Sequence, residues 1–474
     1  VAKPKVAKRP LNARRIDFGF IAAGGMAAAY AAFFSFFTVL KHRAFMTYMF
    51  DLGLYAQNLW LMLNEGASPM HYSLLMYPLA LLYKILPSPE VLLVLKSIIV
   101  PAGALPLYKL ASVKLGNRMA AVGVSALYLA YPPLHGVSQF DFHLEDFLPP
   151  LFIALAYLYE AGRPKGFIAC LTLCLTTMEV APLITLFLGL WLSLRSVKPR
   201  FTWPRVSLTL KRDVKAKLAL LTVLASIAAA LAYEFALGRG PVGGYISTPH
   251  NPSALSLRDW ANYLSMIYGP LAFLPLTSLS QLAAAPWLFL AFTSGSRELL
   301  QIYNQYPAFV TPFVFVGLVE ALAKLSHKKG LLTWMMATLA LSCSIYFAHL
   351  DPVFVNPYPP HTPSWPVVTV EAERLNQIIT LIPPDASVLT QNNLAPHLAN
   401  RRELYITLRD NTILPHFILV DKSHFSYDEP NIRPSPAQLL PSLLKSGRYG
   451  LRAAYGPVEL YQLDYREKPL RLEG

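Results

Sequence analysis

Asp141, His143, Glu145 and Asp146 fall within the seven residues Phe140-Asp-Phe-His-Leu-Glu-Asp146, between two strongly apolar stretches. Carboxylates and an imidazole set this close can bind a cation, move a proton or position a phosphate. Acids embedded in an apolar chain usually mark a site, because leaving them isolated there is costly. An extended loop points Asp141, His143 and Glu145 one way; a helical turn pairs Asp141 with Glu145 and sends His143 elsewhere. Either geometry keeps the two carboxylates together. With Asp51 they are candidate oxygen ligands for a divalent cation such as Mg or Mn. The competing reading is structural: a helix cap by Asp141 and a buried, hydrogen-bonded His143.

Asp51 lies in Tyr48-Met-Phe-Asp-Leu-Gly-Leu-Tyr-Ala-Gln-Asn-Leu-Trp60. At helical spacing Asp51, Tyr55, Asn58 and Glu65 share one polar edge, and Leu and Met cover the rest, as in a helix lying on a bilayer. An acid on that edge is a candidate proton acceptor from a hydroxyl. Glu179 sits in the middle of an apolar run with no local partner, a position that is expensive unless it serves a site. Arg239 and Arg297 are cations for a substrate phosphate. Tyr55, Gln57, Asn58, Trp60, His71, His143, Gln305 and Tyr306 complete the set of candidate substrate-binding residues, and an aromatic such as Trp60 can stack on a sugar face.

The elements that must carry these residues follow from composition. Hydrophobic residues make up 54% of the chain and charged ones 14%, with repeated apolar runs near or beyond bilayer length, which predicts a multi-pass protein of the cell membrane. The formal charge of +14 sits largely in short loops between spans, so it sets orientation and does not point to nucleic acid. Cys170, Cys174 and Cys343 lie inside apolar runs and read as small core residues.

Lys3, Lys5, Lys8, Arg9, Arg14 and Arg15 precede the first apolar run and predict a cytoplasmic N-terminus over residues 1–17. Loop charge settles two ambiguous segments. Tyr72 to Leu86 is short and stopped by Pro87-Ser-Pro89, and a crossing there would turn Lys109, Lys114 and Arg118 outward, so it is laid along the outer surface. Gly166 to Leu194 is read as two short helices meeting near Glu179, because one crossing would put the cations from Arg195 to Lys217 outside. The expectation is about eleven spans, at 18–40, 89–112, 118–134, 147–161, 166–178, 180–194, 218–237, 262–278, 281–295, 305–323 and 331–348. Residues 18–348 then form the membrane domain, and Asp51, in the outer loop 41–88, shares the outer face with Phe140–Asp146 and Glu179.

A proline-rich connector at 349–366 leads to a small extracytoplasmic α/β domain over 367–474. Its strands are expected at Ser387–Thr390, Glu403–Thr407, Phe417–Asp421, Tyr449–Ala454 and Val458–Leu463, with helices near Val370–Ile382, Leu394–Asn400 and Ala437–Ser446. No Gly-rich phosphate loop opens these helices.

Phe50-Asp-Leu-Gly-Leu-Tyr-Ala-Gln-Asn-Leu-Trp60, His71-Tyr-Ser, Phe140-Asp-Phe-His-Leu-Glu145 and Gln305-Tyr-Pro-Ala resemble the predicted membrane protein family called domain of unknown function 2079, over nearly the whole chain. That family in turn resembles the GT-C membrane glycosyltransferases. The resemblance implies many spans, an acid in the first outer loop serving as catalytic base, which maps to Asp51, and further outer acids that position donor or metal, mapping to Asp141 and Glu145. Two positions depart from the superfamily pattern: Leu52 follows Asp51 where a second acid is common, and Met178 precedes Glu179 where relatives often carry Lys.

The expected activity is transfer of a sugar from a polyprenyl-phosphate donor in the bilayer to a hydroxyl of an envelope glycan, lipid or protein on the outer face, with inversion. The alternatives are a transporter or lipid flippase built around Glu179, and a non-catalytic envelope protein that binds through its C-terminal domain.

Overall fold

The computed structural model describes residues 16–202, 205–210, 213–237, 255–325, 328–354, 365–408, 410, 412–423 and 434–472. The basic N-terminal segment up to Arg15, Arg239 and most of the proline-rich connector lie outside the described residues.

The membrane domain is helical. Its helices are α1 (Phe18–Arg43), α2 (Leu54–Asn64), α3 (Met76–Ile85), α4 (Pro89–Ala102), α5 (Ala104–Leu115), α6 (Arg118–Leu129), α7 (Pro132–Gln139), α8 (Leu148–Glu160), α9 (Pro164–Leu175), α10 (Ala181–Ser196), α11 (Val214–Leu237), α12 (Leu257–Tyr268), α13 (Ala285–Thr293), α14 (Thr311–Ala323) and α15 (Lys329–Leu350). A hairpin of β1 (Val197–Thr202) and β2 (Arg205–Leu210) joins α10 to α11.

Among the described residues four helices are long and apolar enough to cross a bilayer: Phe18–Arg43, Pro89–Leu115, Val214–Ala236 and Gly330–Leu350. These four do not confirm the expected count of about eleven spans. Several expected spans appear as apolar helices of 10–17 residues. The expected span 262–278 is instead the end of α12 followed by short 3-10 turns at Gly269–Leu271 and Leu274–Thr277. Pro270 and Pro275 remove the backbone donors a helix needs there, and Ala272 and Phe273 take positive φ.

Local signals set the other boundaries. Gly116, at φ +61°, ends α5, and Asn117 opens α6 by accepting from the Ala120 amide. Near Glu179 the chain breaks as the loop charges predicted, with α9 ending at Leu175 and α10 starting at Ala181. The ten-residue α3 is too short to cross a bilayer.

One apolar core unites α1 and α4 to α15, while a second joins α2, α3 and α4 to Phe142, Leu144 and Ala399. Gly136 lets α7 pack directly on the backbone at Ile302: a Cβ there would stand 1.6 Å from the Ile302 carbonyl oxygen. Gly136→Ala is expected to cost about 1–3 kcal/mol, read as a lower melting temperature of the purified protein.

The C-terminal domain contains α16 (Val370–Ile379) and α17 (Pro436–Lys445) on a six-stranded sheet. Its strands are β3 (Val388–Thr390), β4 (Leu404–Tyr405), β5 (Phe417–Asp421), β6 (Tyr449–Tyr455), β7 (Val458–Leu463) and β8 (Leu470–Arg471), in the order β4-β3-β5-β7-β6-β8. β3 runs parallel to β4 and β5, and β7 pairs antiparallel with β5 and β6. Alternation divides the side chains: Val388, Phe417 and Leu419 face the core that holds α16, and Leu389, Ile418 and Val420 face the one that holds α17.

Candidate functional site

Asp51 lies in a π-helical turn, Met49–Gly53, immediately before α2. Such wide turns are uncommon and recur at functional sites. The Asp51 Oδ1 atom stands 3.0 Å from His143 Nε2, and its side chain keeps 17% of its exposure. His143 turns its other ring nitrogen to the Asp141 carbonyl at 3.2 Å. Both ring nitrogens thus face acceptors, which is the hydrogen-bonding pattern of an imidazolium. Burial pulls the His143 pKa down, but the hydrogen bond and charge of Asp51, with Glu145 and Asp146 behind it, outweigh burial and push it up to about 9.

That shift carries a sign. The folded-state pKa stands above the ordinary 6.5, so the pair's stabilisation is complete below 6.5 and disappears as the pH rises through about 9. The expected consequence is a loss of stability of at most about 3 kcal/mol across that window, absent in His143→Gln and measurable as melting temperature against pH.

The Phe140–Asp146 loop is extended to His143 and then forms a 3-10 turn, Leu144–Phe147. Its acids part company. Asp141 Oδ1 pairs with Lys41 Nζ at 3.2 Å, its Oδ2 accepts from the Tyr48 amide at 2.7 Å, and its side chain is 1% exposed. Asp146 closes a capping box on the His143 amide at 2.9 Å. Glu145 is buried within the field of Tyr55, His71 and His143, and its Oε2 has no hydrogen-bond partner among the described residues.

Beneath the loop lies a group that the sequence reading passed over. Lys96, on α4, is fully buried and donates to the carbonyls of Phe140 and Asp141, the latter at 2.9 Å. A lone lysine in the run Val91 to Val100 was the available signal.

Glu179, in the break between α9 and α10, accepts from His71 Nδ1 at 2.9 Å, and its Oε2 is buried without a partner among the described residues. Burial lowers the His71 pKa, but Glu179 and then Glu145 raise it more, and the net direction is up. His71 adopts φ +54°, a conformation that costs a non-glycine residue about 1–3 kcal/mol. Asn58 holds it there: its Nδ2 donates to the Ser68 carbonyl at 3.1 Å and its Oδ1 accepts from the Met70 amide at 2.8 Å.

Tyr55 is buried between the two pairs, with ring centroids 5.5 Å from His143 and 6.3 Å from His71. Gln305 approaches His143 Nε2 at 3.4 Å. The atom that faces it is Gln305 Nε2, while Gln305 Oε1 is buried without a partner among the described residues; turning the amide over would give a protonated His143 an acceptor there.

Asp51, Tyr55, His71, His143, Glu145, Glu179 and Gln305 therefore share one polar cluster. The other candidates stand apart from it. Gln57 reaches the Arg401 carbonyl at 3.5 Å, Trp60 packs in the apolar core of α2 and α3, and Tyr306 stacks on Trp287. Arg297 is exposed and acts on Asp259. Asp51, Asp141 and Glu145 do not suit a divalent cation, since both Asp141 oxygens are engaged by Lys41 and Tyr48. Among the described residues no group of three or more His, Cys, Asp or Glu could hold a metal ion.

A family model described as "Predicted membrane protein (DUF2079)" matches residues 41–236 and 246–455, a range that contains the whole cluster. No curated protein matches the chain.

Proposed function

The chain belongs to the DUF2079 family of predicted membrane proteins, and on that premise we propose that it transfers a sugar from a polyprenyl-phosphate donor to a hydroxyl acceptor on the extracytoplasmic face. The observation that carries this reading is the contrast between two acids. Asp51 keeps 17% exposure beside an imidazolium, whereas Asp141 is sealed against Lys41. Only the first is open to an acceptor.

In the proposed step His143 fixes Asp51 through Oδ1, and Oδ2 takes the acceptor proton. The acceptor oxygen forms a bond to the anomeric carbon as the bond from that carbon to the phosphate oxygen breaks. The polyprenyl phosphate leaves with the electron pair, and the configuration inverts. His71, with 28% side-chain exposure, brings positive charge to the departing phosphate while Glu179 orients it. Loop charge supports the lipid-linked donor: with a cytoplasmic basic N-terminus the first loop would lie outside, where a nucleotide sugar is not supplied.

The test supplies the protein, reconstituted in vesicles, with labelled polyprenyl-phosphate sugars and an extract of envelope acceptors. Labelled product of inverted anomeric configuration together with released polyprenyl phosphate is expected. Failure across the donor panel overturns the assignment.

The broken helix at Glu179 favours a second reading, movement of a lipid past a half-helix pair. Movement of the labelled lipid between leaflets that persists in Asp51→Asn would select it over transfer.

A further inference from the structure

The segment that follows β3 binds the Asp51 turn directly. The Met49 amide donates to both the carbonyl of Asn392, at 2.8 Å, and its Oδ1, at 2.9 Å, and Asn392 is 1% exposed. Asn400 accepts from the Tyr83 hydroxyl at 2.6 Å and donates to the Pro87 carbonyl at 2.7 Å, which ties the same segment to α3 and to the residues after it. In the other direction Phe45, at φ +58°, inserts into the apolar core of the C-terminal domain. There His397 is sandwiched: the Phe45 ring lies 3.9 Å from it, and the His42 ring stacks on it at 4.1 Å with 4° between planes. With β3 central and β4 and β5 on either side, this segment leaves the carboxyl ends of the parallel strands, where open α/β sheets hold their ligands. Here that edge grips the chain's own catalytic turn.

We propose that residues 391–400 are a positioning element for Asp51, with Asn392 fixing the π-turn, and that the His42–His397 stack makes this grip sensitive to pH. Two neutral rings stack readily, and a proton on either one introduces a buried cation. His397 Nε2 is buried with no partner among the described residues, so a proton added there has nothing to bond. His42 Nδ1 is already engaged with Thr47 Oγ1 at 2.8 Å. The charged groups that act on His42 are Glu90 and Arg43, which neutralise one another through a hydrogen bond of 2.8 Å, and the titratable group that acts on His397 is His42.

Burial holds the His397 pKa well below the usual 6.5, and a proton on the His42 ring stacked on it would be buried in the same place. Protons are therefore taken up preferentially on undocking, so docking is complete above about 6.5 and weakens as the pH falls below it.

Amide hydrogen exchange on the full chain in lipid nanodiscs tests this without any transferase assay. After correction for intrinsic rates, exchange over Tyr48–Gly53 is expected to rise about tenfold between about pH 7.5 and about pH 5. In a chain carrying His42→Phe and His397→Phe, which keeps the stack without the titration, the rise stays within about twofold. Asn392→Ala exchanges rapidly at both values. Unchanged protection of the wild type, or an equal rise in the Phe variant, overturns the proposal. The consequence for catalysis rests on Asp51 as base: there Asn392→Ala lowers kcat and leaves KM in place. A chain that shows the exchange change but no transfer refutes the transferase reading alone.

Discussion

Asp51→Asn is expected to lower the rate of transfer about a thousandfold, a loss of about 4 kcal/mol of transition-state stabilisation. The replacement is nearly isosteric, and a carboxamide oxygen still accepts from His143 Nε2 where Oδ1 now does at 3.0 Å. The π-turn, held by Asn392, keeps its shape. What disappears is the oxygen that takes the acceptor proton, so kcat falls while KM for the lipid-linked donor changes little. Asp141→Asn makes the informative contrast. That carboxylate is sealed against Lys41 Nζ and the Tyr48 amide, and its replacement leaves a buried cation uncompensated. It is expected to lower the melting temperature, with residual activity proportional to the folded fraction. Initial rates at saturating acceptor, normalised to folded protein, separate the two. An Asp51→Asn protein that retains more than about a tenth of the wild-type rate sinks the base assignment.

The parts of this arrangement that were legible in the sequence are those encoded by local pattern or by loop charge. Short apolar runs set between helix-like segments located β5 and β7 at both ends, Phe417–Asp421 and Val458–Leu463. The cations from Arg195 to Lys217 were enough to predict a break near Glu179, because one continuous helix would have carried them to the wrong side. The acidic loop was visible as an anomaly of composition, yet the roles within it were not. Period-based geometry placed Asp141 and Glu145 together, whereas the loop is extended before it turns, and Lys41 and the Tyr48 amide draw Asp141 out of the cluster. Lys96 was hidden for a related reason. A single cation in an apolar helix reads as an interruption until the carbonyls of Phe140 and Asp141 are seen above it. The hold of Asn392 on Met49 joins residues 343 positions apart, and no periodicity records such a contact. The expected span at 262–278 is interrupted because hydropathy is high there but prolines prevent a continuous helix, at Pro270 and Pro275.

Lys96→Met is expected to destabilise the protein by about 3–5 kcal/mol, the cost of removing one partner from a buried charged network. Methionine fills nearly the same volume, so the loss is electrostatic and not one of packing. Two carbonyls lose a charged donor: that of Phe140, and that of Asp141, which among the described residues then keeps the His143 ring as partner. The charge of Lys96 also acts on Asp146, whose carboxyl is already raised by burial to about 6 with Lys96 and His143 opposing the rise. Without that cation the Asp146 pKa moves further up, and its hold on the His143 amide weakens as it takes a proton at neutral pH. His143 then loses the geometry that presents it to Asp51, so activity falls by more than the drop in folded protein explains. The acid limb of the pH–rate profile moves to higher pH at the same time. A variant with wild-type melting temperature and an unshifted profile would show that the lysine is a bystander, and that the loop is fixed by its 3-10 turn and by Lys41 alone.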